Sequence, residues 1–432
     1  MKQKFSIHGN VWLFLGGVVS VLLYWYLSRE IAGSSIKVER YIGYFGVAFV
    51  VYAATIFLAT RGTSIPPLTY ILVFAVLFRV IGVSVAPQFE DDYFRYIWDG
   101  FVLSGFDNPY QYPPSHYFAD ENLPEEYQNA LNGVNYPDLP TIYAPTLQFS
   151  FLIAHWIWPA QVMGLQLVYS IVDVLLILLL AQMTDRRSLM LYAWNPLVIK
   201  EIAFTAHPDV AGVMLLIAAI FFVKNRPLLS VVSLALSVCA KPFAWIIAPF
   251  ILLRLRKTYV FLFVILVLMI YLPFLLSGAT DFTALSAFGK LWEYNAAVYH
   301  MLSQILPAAN ARLLCGAIFV VMYLVYIRHY RASGQTSIRG DILLGGLLVL
   351  SPVINPWYLL WILPFASLNR DVWPWVASCA VLLSYFTGLN MGDPSLASYE
   401  QARWVKPVEF GMIALAVLFD AYRRRPEKVK PD

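Results

Sequence analysis

Long apolar runs at 11–27, 41–60, 68–85, 161–183 and 259–276 constrain this chain more than any other feature. At 1.5 Å per residue each is long enough, or nearly so, to cross a hydrocarbon core about 30 Å thick. The runs are continuous rather than alternating, which excludes a transmembrane β-barrel. Hydrophobic residues make up 60% of the 432, against roughly 45–50% in a soluble domain. The expectation is an all-α polytopic membrane protein of about 12–14 spans on the hydropathy rule, a single membrane-embedded domain over 1–432. Lys2 and Lys4 precede a long apolar run with no small-residue cleavage site, so the first span reads as retained.

Charge orders the rest. The segment 86–145 carries ten acids and a single Arg, Arg95. Few basic residues is what the positive-inside rule expects of an outer loop. So long a connection is functional or disordered, and its aromatics and prolines favour order. The basic stretch 423–432 reads as a cytoplasmic tail and not as a nucleic-acid contact. Counting back from it places 391–405, 355–357, 277–300 and 207–209 outside, and 254–257 and 224–226 inside. Between Pro145 and His207 three apolar segments are visible where an even number of crossings is needed. Either 146–158 or 188–204 is therefore re-entrant or peripheral. Cys239, Cys315 and Cys379 sit in apolar runs and read as core residues.

Chemistry concentrates in the outer loop. Membranes reject carboxylates, yet Glu90-Asp91-Asp92-Tyr93-Phe94-Arg95-Tyr96-Ile97-Trp98-Asp99-Gly100 follows the third run directly. Asp91 stands where a helix would begin and suits an N-cap. Asp92, Arg95, Tyr96 and Asp99 then share one helical face, opposite an apolar stripe of Tyr93, Ile97 and Phe101. Such a helix lies at the interface and aims two carboxylates and a guanidinium into one cavity. One carboxylate would then serve as general base toward a hydroxyl. The same spacing also serves a capped helix closed by an Asp92–Arg95 or Arg95–Asp99 pair.

Asn108 and Tyr110 belong to a Gly-Phe-Asp-Asn-Pro-Tyr stretch that could be a plain turn. Tyr143 could stack on a sugar ring or join the interfacial aromatic belt. Lys200, Glu201, His207 and Asp209 gather at another outer end. Lys200 and Glu201 could simply pair; Lys200 or His207 could hold a phosphate, and so could Lys241. Trp357 and Tyr358 are belt residues or line a lipid groove. Arg79, inside the third run, needs a partner. The six histidines show no HxxxH or HxxE spacing, so no metal site is expected and a divalent cation is not indicated. Phosphate-cradling and nucleophile-elbow motifs are absent from the sequence.

The stretch 90–100, then Gly105-Phe106-Asp107-Asn108-Pro109-Tyr110 and Thr141-Ile142-Tyr143-Ala144-Pro145, resembles bacterial GT-C superfamily glycosyltransferases. The likeness is nearest to polyprenyl-phosphate-mannose-dependent mannosyltransferases. Trp194-Asn195-Pro196 with Glu201 and His207-Pro208-Asp209, Lys241-Pro242, and Asn355-Pro356-Trp357-Tyr358 occur in similar order there, so the resemblance covers about 86–365. It implies a GT-C-like helical bundle whose large extracytoplasmic first loop carries interfacial helices and the catalytic acid, Asp92 or Asp91. It also implies a polyprenyl-phosphate sugar donor, a lipid or glycan acceptor, inversion at the anomeric carbon, and no cofactor. Arg95, Tyr96, Asp99, Asn108, Tyr110, Tyr143, Lys200, Glu201, His207, Asp209, Lys241, Trp357 and Tyr358 would contact substrate. Localisation would be the plasma membrane, among its lipids. Two other classes compete: a flippase for a lipid-linked saccharide, and a lipid-linked glycan ligase or polymerase. Acids on an outer loop helix mark the transferase; acids at the midplane mark the transporter.

Overall fold

The computed structural model describes every residue except 1–6, 34, 60–64, 84, 106, 335–336 and 425–432. The described residues form helices joined by turns, with no strand beyond two isolated bridges. Among the described residues, five helices are long and apolar enough to cross a membrane: Gly9–Gly33, Val38–Ala59, Val162–Leu180, Lys257–Leu276 and Ala308–Ser333. A sixth span results if Pro196–Phe204 and Asp209–Phe222 are counted together, although the two are bent by 120°. The protein is therefore all-α and built to sit in a membrane, but full-length spans fall well short of the expected 12–14. Much of the remaining apolar sequence folds into helices of 10–17 residues, such as Leu68–Val83, Pro227–Val238 and Phe243–Leu252. At 1.5 Å per residue these reach only about 15–26 Å. Hydropathy counts such segments as crossings; their length does not.

Both segments that broke the parity come out short. Pro145–Ile157 has 13 residues, and 188–204 is split at Trp194-Asn195. The split has a local cause. Asn195 accepts from the amides of Leu197 and Val198 (2.9 and 3.3 Å), and Pro196 opens the new helix. Lys200–Phe204 then widens into a π-turn. The amide of Thr205 reaches back to Lys200 O, that of His207 to Glu201 O, and Ala206 takes a left-handed φ of 59°. A π-turn at a break is a frequent mark of function.

Two features hold the core around this break. Arg79 bridges three helices: it pairs with Asp173 at 2.6 Å and donates to the carbonyl of Ala193 at 2.7 Å. Tyr192 donates to the other Asp173 oxygen. Arg79 thus has the partner its position required. By contrast, Lys257–Leu276 and Ala308–Ser333 have only 11% of their apolar window buried, so they turn most of their surface to lipid. Cys239 and Cys315 are buried and Cys379 half-buried, all free thiols packed in the core.

The segment 86–145 is ordered. Helix Asp92–Ser104 packs its apolar side on Pro145–Ile157 and Glu125–Gly133 rather than on lipid. Phe101 stacks on Tyr127 at 4.0 Å. Gly100 permits the closest approach, since a Cβ there would lie 2.7 Å from the Phe151 carbonyl oxygen. Of the expected cytoplasmic tail, 425–432 lies outside the described residues, as do Lys2 and Lys4. Arg424 is described and pairs with Asp371.

Candidate active site

Phe89, at a φ of 59°, turns the chain sharply into the loop helix. Asp91 takes the N-cap position, yet its carboxylate caps no amide. It lies 3.5 Å from Asn135 Nδ2, and burial raises its pKa to about 6, with the Asp92 charge adding to the shift. Asp92 is half-buried in the first helical turn. Its Oδ2 accepts from the hydroxyls of Tyr143 (3.1 Å) and Tyr96 (3.4 Å), which lie 3.3 Å apart. Tyr96 is fixed by stacking on Phe151 at 4.8 Å, and Tyr143 meets it edge-on. Tyr143 is placed in turn by Tyr110, whose hydroxyl donates to the Tyr143 carbonyl at 2.8 Å.

The shared face of Asp92, Arg95 and Asp99 does not open into one cavity. Arg95 turns away and donates to the carbonyls of Asn135, Tyr136 and Leu139, at 3.4, 3.2 and 3.0 Å. No carboxylate of the described residues lies within 4.0 Å of it, so neither expected ion pair forms. The reason is length: a guanidinium reaches the loop 135–139 and ties together a turn that the Leu139 amide already closes on Tyr136 O at 3.1 Å. Asp99 is buried against Gln148, which donates to it at 2.9 Å. Asn108 is a strut: its amide donates to Ser277 Oγ at 2.8 Å and Ala279 O at 3.0 Å.

Burial raises Asp99 from the usual 3.8 to about 6, with Arg95 and the Thr141 and Gln148 contacts opposing. Between these two values the folded protein holds a proton that the unfolded chain has released. Stability therefore falls as pH rises from about 4 to 6 and is level above. Asp99→Asn is expected to remove on the order of 2–3 kcal/mol of that fall, read as a flatter melting temperature across pH 4–7 in detergent.

Two residues before Asp92, Glu90, with 8% of its side chain exposed, enters a second cluster whose Lys200, Glu201 and His207 are fully buried. Lys200 pairs with Glu201 at 3.0 Å and stands 3.9 Å from Glu90. His207 Nδ1 meets Glu201 Oε2 at 3.1 Å, and Nε2 faces Glu90 Oε2 at 3.9 Å. Tyr385 donates to Glu90 and receives the Lys200 ammonium at 2.6 Å. Trp357 stacks on the His207 ring at 3.9 Å, nearly parallel. Burial, against the pull of His207 and Lys200, lifts the Glu90 carboxyl to about 8. Lys200 is thus committed to carboxylates and a phenol.

A third group adjoins these two. Asp209 opens the helix after the break but caps nothing. It accepts from Lys241 at 2.6 Å and from the Trp361 indole at 2.7 Å. The Lys241 ammonium also lies over the Tyr358 ring at 5.2 Å and keeps 14% of its side chain exposed. Tyr143 and Tyr358 each lie within coulombic reach of both Asp92 and Asp209, and His207 within reach of Glu90, Glu201 and Asp92. The three groups are one polar region, walled by tyrosine and tryptophan.

The candidates brought together are thus Asp92, Tyr96, Tyr143, Lys200, Glu201, His207, Asp209, Lys241, Trp357 and Tyr358. Arg95, Asp99, Asn108 and Tyr110 support the loop from outside that group. Glu90, Tyr385 and Trp361 were not foreseen. Glu90 could have been flagged, as it directly precedes Asp91-Asp92. Tyr385 and Trp361 lie in apolar strings with no signal. Glu90, Glu201 and His207 also place one ligand atom each within 4.8 Å of one another, where spacing suggested no metal site. No family model matches the chain, and no curated protein or solved structure matches it.

Proposed function

We propose that this protein is a membrane glycosyltransferase that moves a sugar, mannose as the first choice, from a polyprenyl phosphate to a hydroxyl of a lipid or glycan acceptor. The reaction takes place on the extracytoplasmic face of the plasma membrane, and the enzyme is of GT-C type. The observation that carries the reading is the half-buried Asp92. It is the first residue of a loop helix between apolar segments, oriented by two tyrosine hydroxyls, with a partly exposed lysine nearby.

In this reading Asp92 takes the proton of the acceptor hydroxyl as its oxygen attacks the anomeric carbon. The bond to the phosphate oxygen breaks on the opposite face, so the configuration inverts and polyprenyl phosphate leaves. Lys241 supplies positive charge where the leaving phosphate develops negative charge. The donor is a lipid, so no nucleotide-binding loop is required. Asp92 is preferred over Asp91 because geometry ranks before pKa, and Asp92 has the closer and more numerous orienting bonds.

A second reading, a flippase for a lipid-linked saccharide, rests on the helix broken beside Lys200, Glu201 and His207, because interrupted helices with charged residues are common at transporter sites. The deciding assay is transfer of labelled sugar from a short-chain polyprenyl-phosphate mannose by purified protein. Transfer to an acceptor supports the enzyme. No transfer by wild type across several acceptors and polyprenyl-phosphate sugars, with lipid-linked sugar crossing proteoliposome membranes, favours the flippase.

A further inference from the structure

The buried cluster behind Asp92 contains an arrangement the transferase reading leaves unused. Both carboxylates divide their oxygens. The Oε1 atoms of Glu90 and Glu201 share Lys200 and Tyr385. The Oε2 atoms face the two nitrogens of His207. An ionised carboxylate only accepts, so Nδ1, 3.1 Å from Glu201 Oε2, carries the ring proton. The other ring nitrogen, Nε2, faces Glu90 Oε2 3.9 Å away, beyond hydrogen-bond distance. Nε2 is fully buried and has no hydrogen-bond partner among the described residues. A buried ring nitrogen and a carboxylate oxygen that face each other without bonding, with a Glu201 oxygen within 4.8 Å of both, form a donor set for a cation.

We propose that Glu90, His207 and Glu201 form a site for a divalent transition metal, with Glu90 Oε2 and His207 Nε2 as the facing donors. Two ligands of one ion, each at about 2.0–2.2 Å, stand at most about 4.4 Å apart, and the gap observed is 3.9 Å. Glu201 completes the carboxylate–histidine–metal series that sets a ligating ring's tautomer and orientation. Trp357 holds the ring plane by stacking. Oxygen and imidazole donors suit manganese or zinc. Spacing hid the site because His207 follows Glu201 across the π-turn and Glu90 comes from the outer loop. This inference does not depend on the transferase reading.

The test uses the full-length protein in detergent, stripped with chelator and titrated with Mn²⁺ alone. Electron paramagnetic resonance counts the free ion, and spin-echo modulation detects an imidazole nitrogen on the bound one. We expect one Mn²⁺ per chain, nitrogen modulation, and displacement by Zn²⁺. Glu90→Gln and His207→Gln should each weaken binding at least tenfold, and Glu201→Gln by about 10–100-fold. Wild type that binds neither ion overturns the proposal and leaves a proton as the bridging charge. Stoichiometric binding that Glu90→Gln leaves unchanged overturns it too. Glu90→Gln is near-isosteric, and the nitrogen signal is read in wild type, so neither result hinges on His207→Gln folding.

Discussion

Asp92→Asn is expected to lower sugar transfer by about 10²–10⁴-fold, the usual contribution of a positioned general base. The substitution is well controlled by the surroundings. The asparagine oxygen can still accept from Tyr143 and Tyr96, which now donate to Asp92 Oδ2 at 3.1 and 3.4 Å, so helix and loop should keep their shape. Loss should therefore appear in kcat, with donor binding and melting temperature held. Asp91→Asn is expected to cost less than tenfold, because among the described residues the Asp91 side chain has only the long Asn135 contact. The measurement is steady-state transfer from a short-chain polyprenyl-phosphate mannose with both variants beside wild type. A reversed order would move the base to Asp91. Equal activity in all three would remove the carboxylate from the chemistry.

The largest stability effect is expected at Asp173. Asp173→Leu strands the Arg79 guanidinium, which is buried with the carboxylate as its only charged partner within 4.0 Å among the described residues. Removing one member of a buried pair costs about 3–5 kcal/mol, whereas replacing both with apolar side chains is often neutral. Arg79→Met with Asp173→Leu should therefore recover most of the loss. Thermal unfolding of the purified single and double variants reads this directly. A single variant as stable as wild type would show that water or lipid headgroups already reach the guanidinium.

What the sequence disclosed follows from range. Apolar runs specify helices because each run satisfies its own backbone, and Asp92 opens a helix where local signals place one. Arg79 in an apolar run announced a partner without naming it. Periodicity defined the face shared by Asp92, Arg95 and Asp99, but not which neighbour each side chain would meet. Arg95 is long enough to choose the carbonyls at 135–139 over its own helix, and Asn108 reaches Ser277. The Glu90–Tyr385 contact spans 295 positions, a separation no local pattern encodes. Hydropathy records apolarity and not helix length, and Pro196 starts a new helix inside apolar sequence.

The reach of those contacts bears on how the molecule is made. The outer loop emerges from the ribosome early, but its strut at Asn108 needs Ser277 and Ala279. Glu90 needs Tyr385, and Asn135 closes on Tyr399 at 2.9 Å. Nascent chains shorter than about 280 residues hold the loop with no strut, and those short of 385 leave Glu90 without its phenol. Assembly of the polar region is thus a late event of biogenesis, and a chain that terminates before Tyr385 is an inserted protein with an unfinished site.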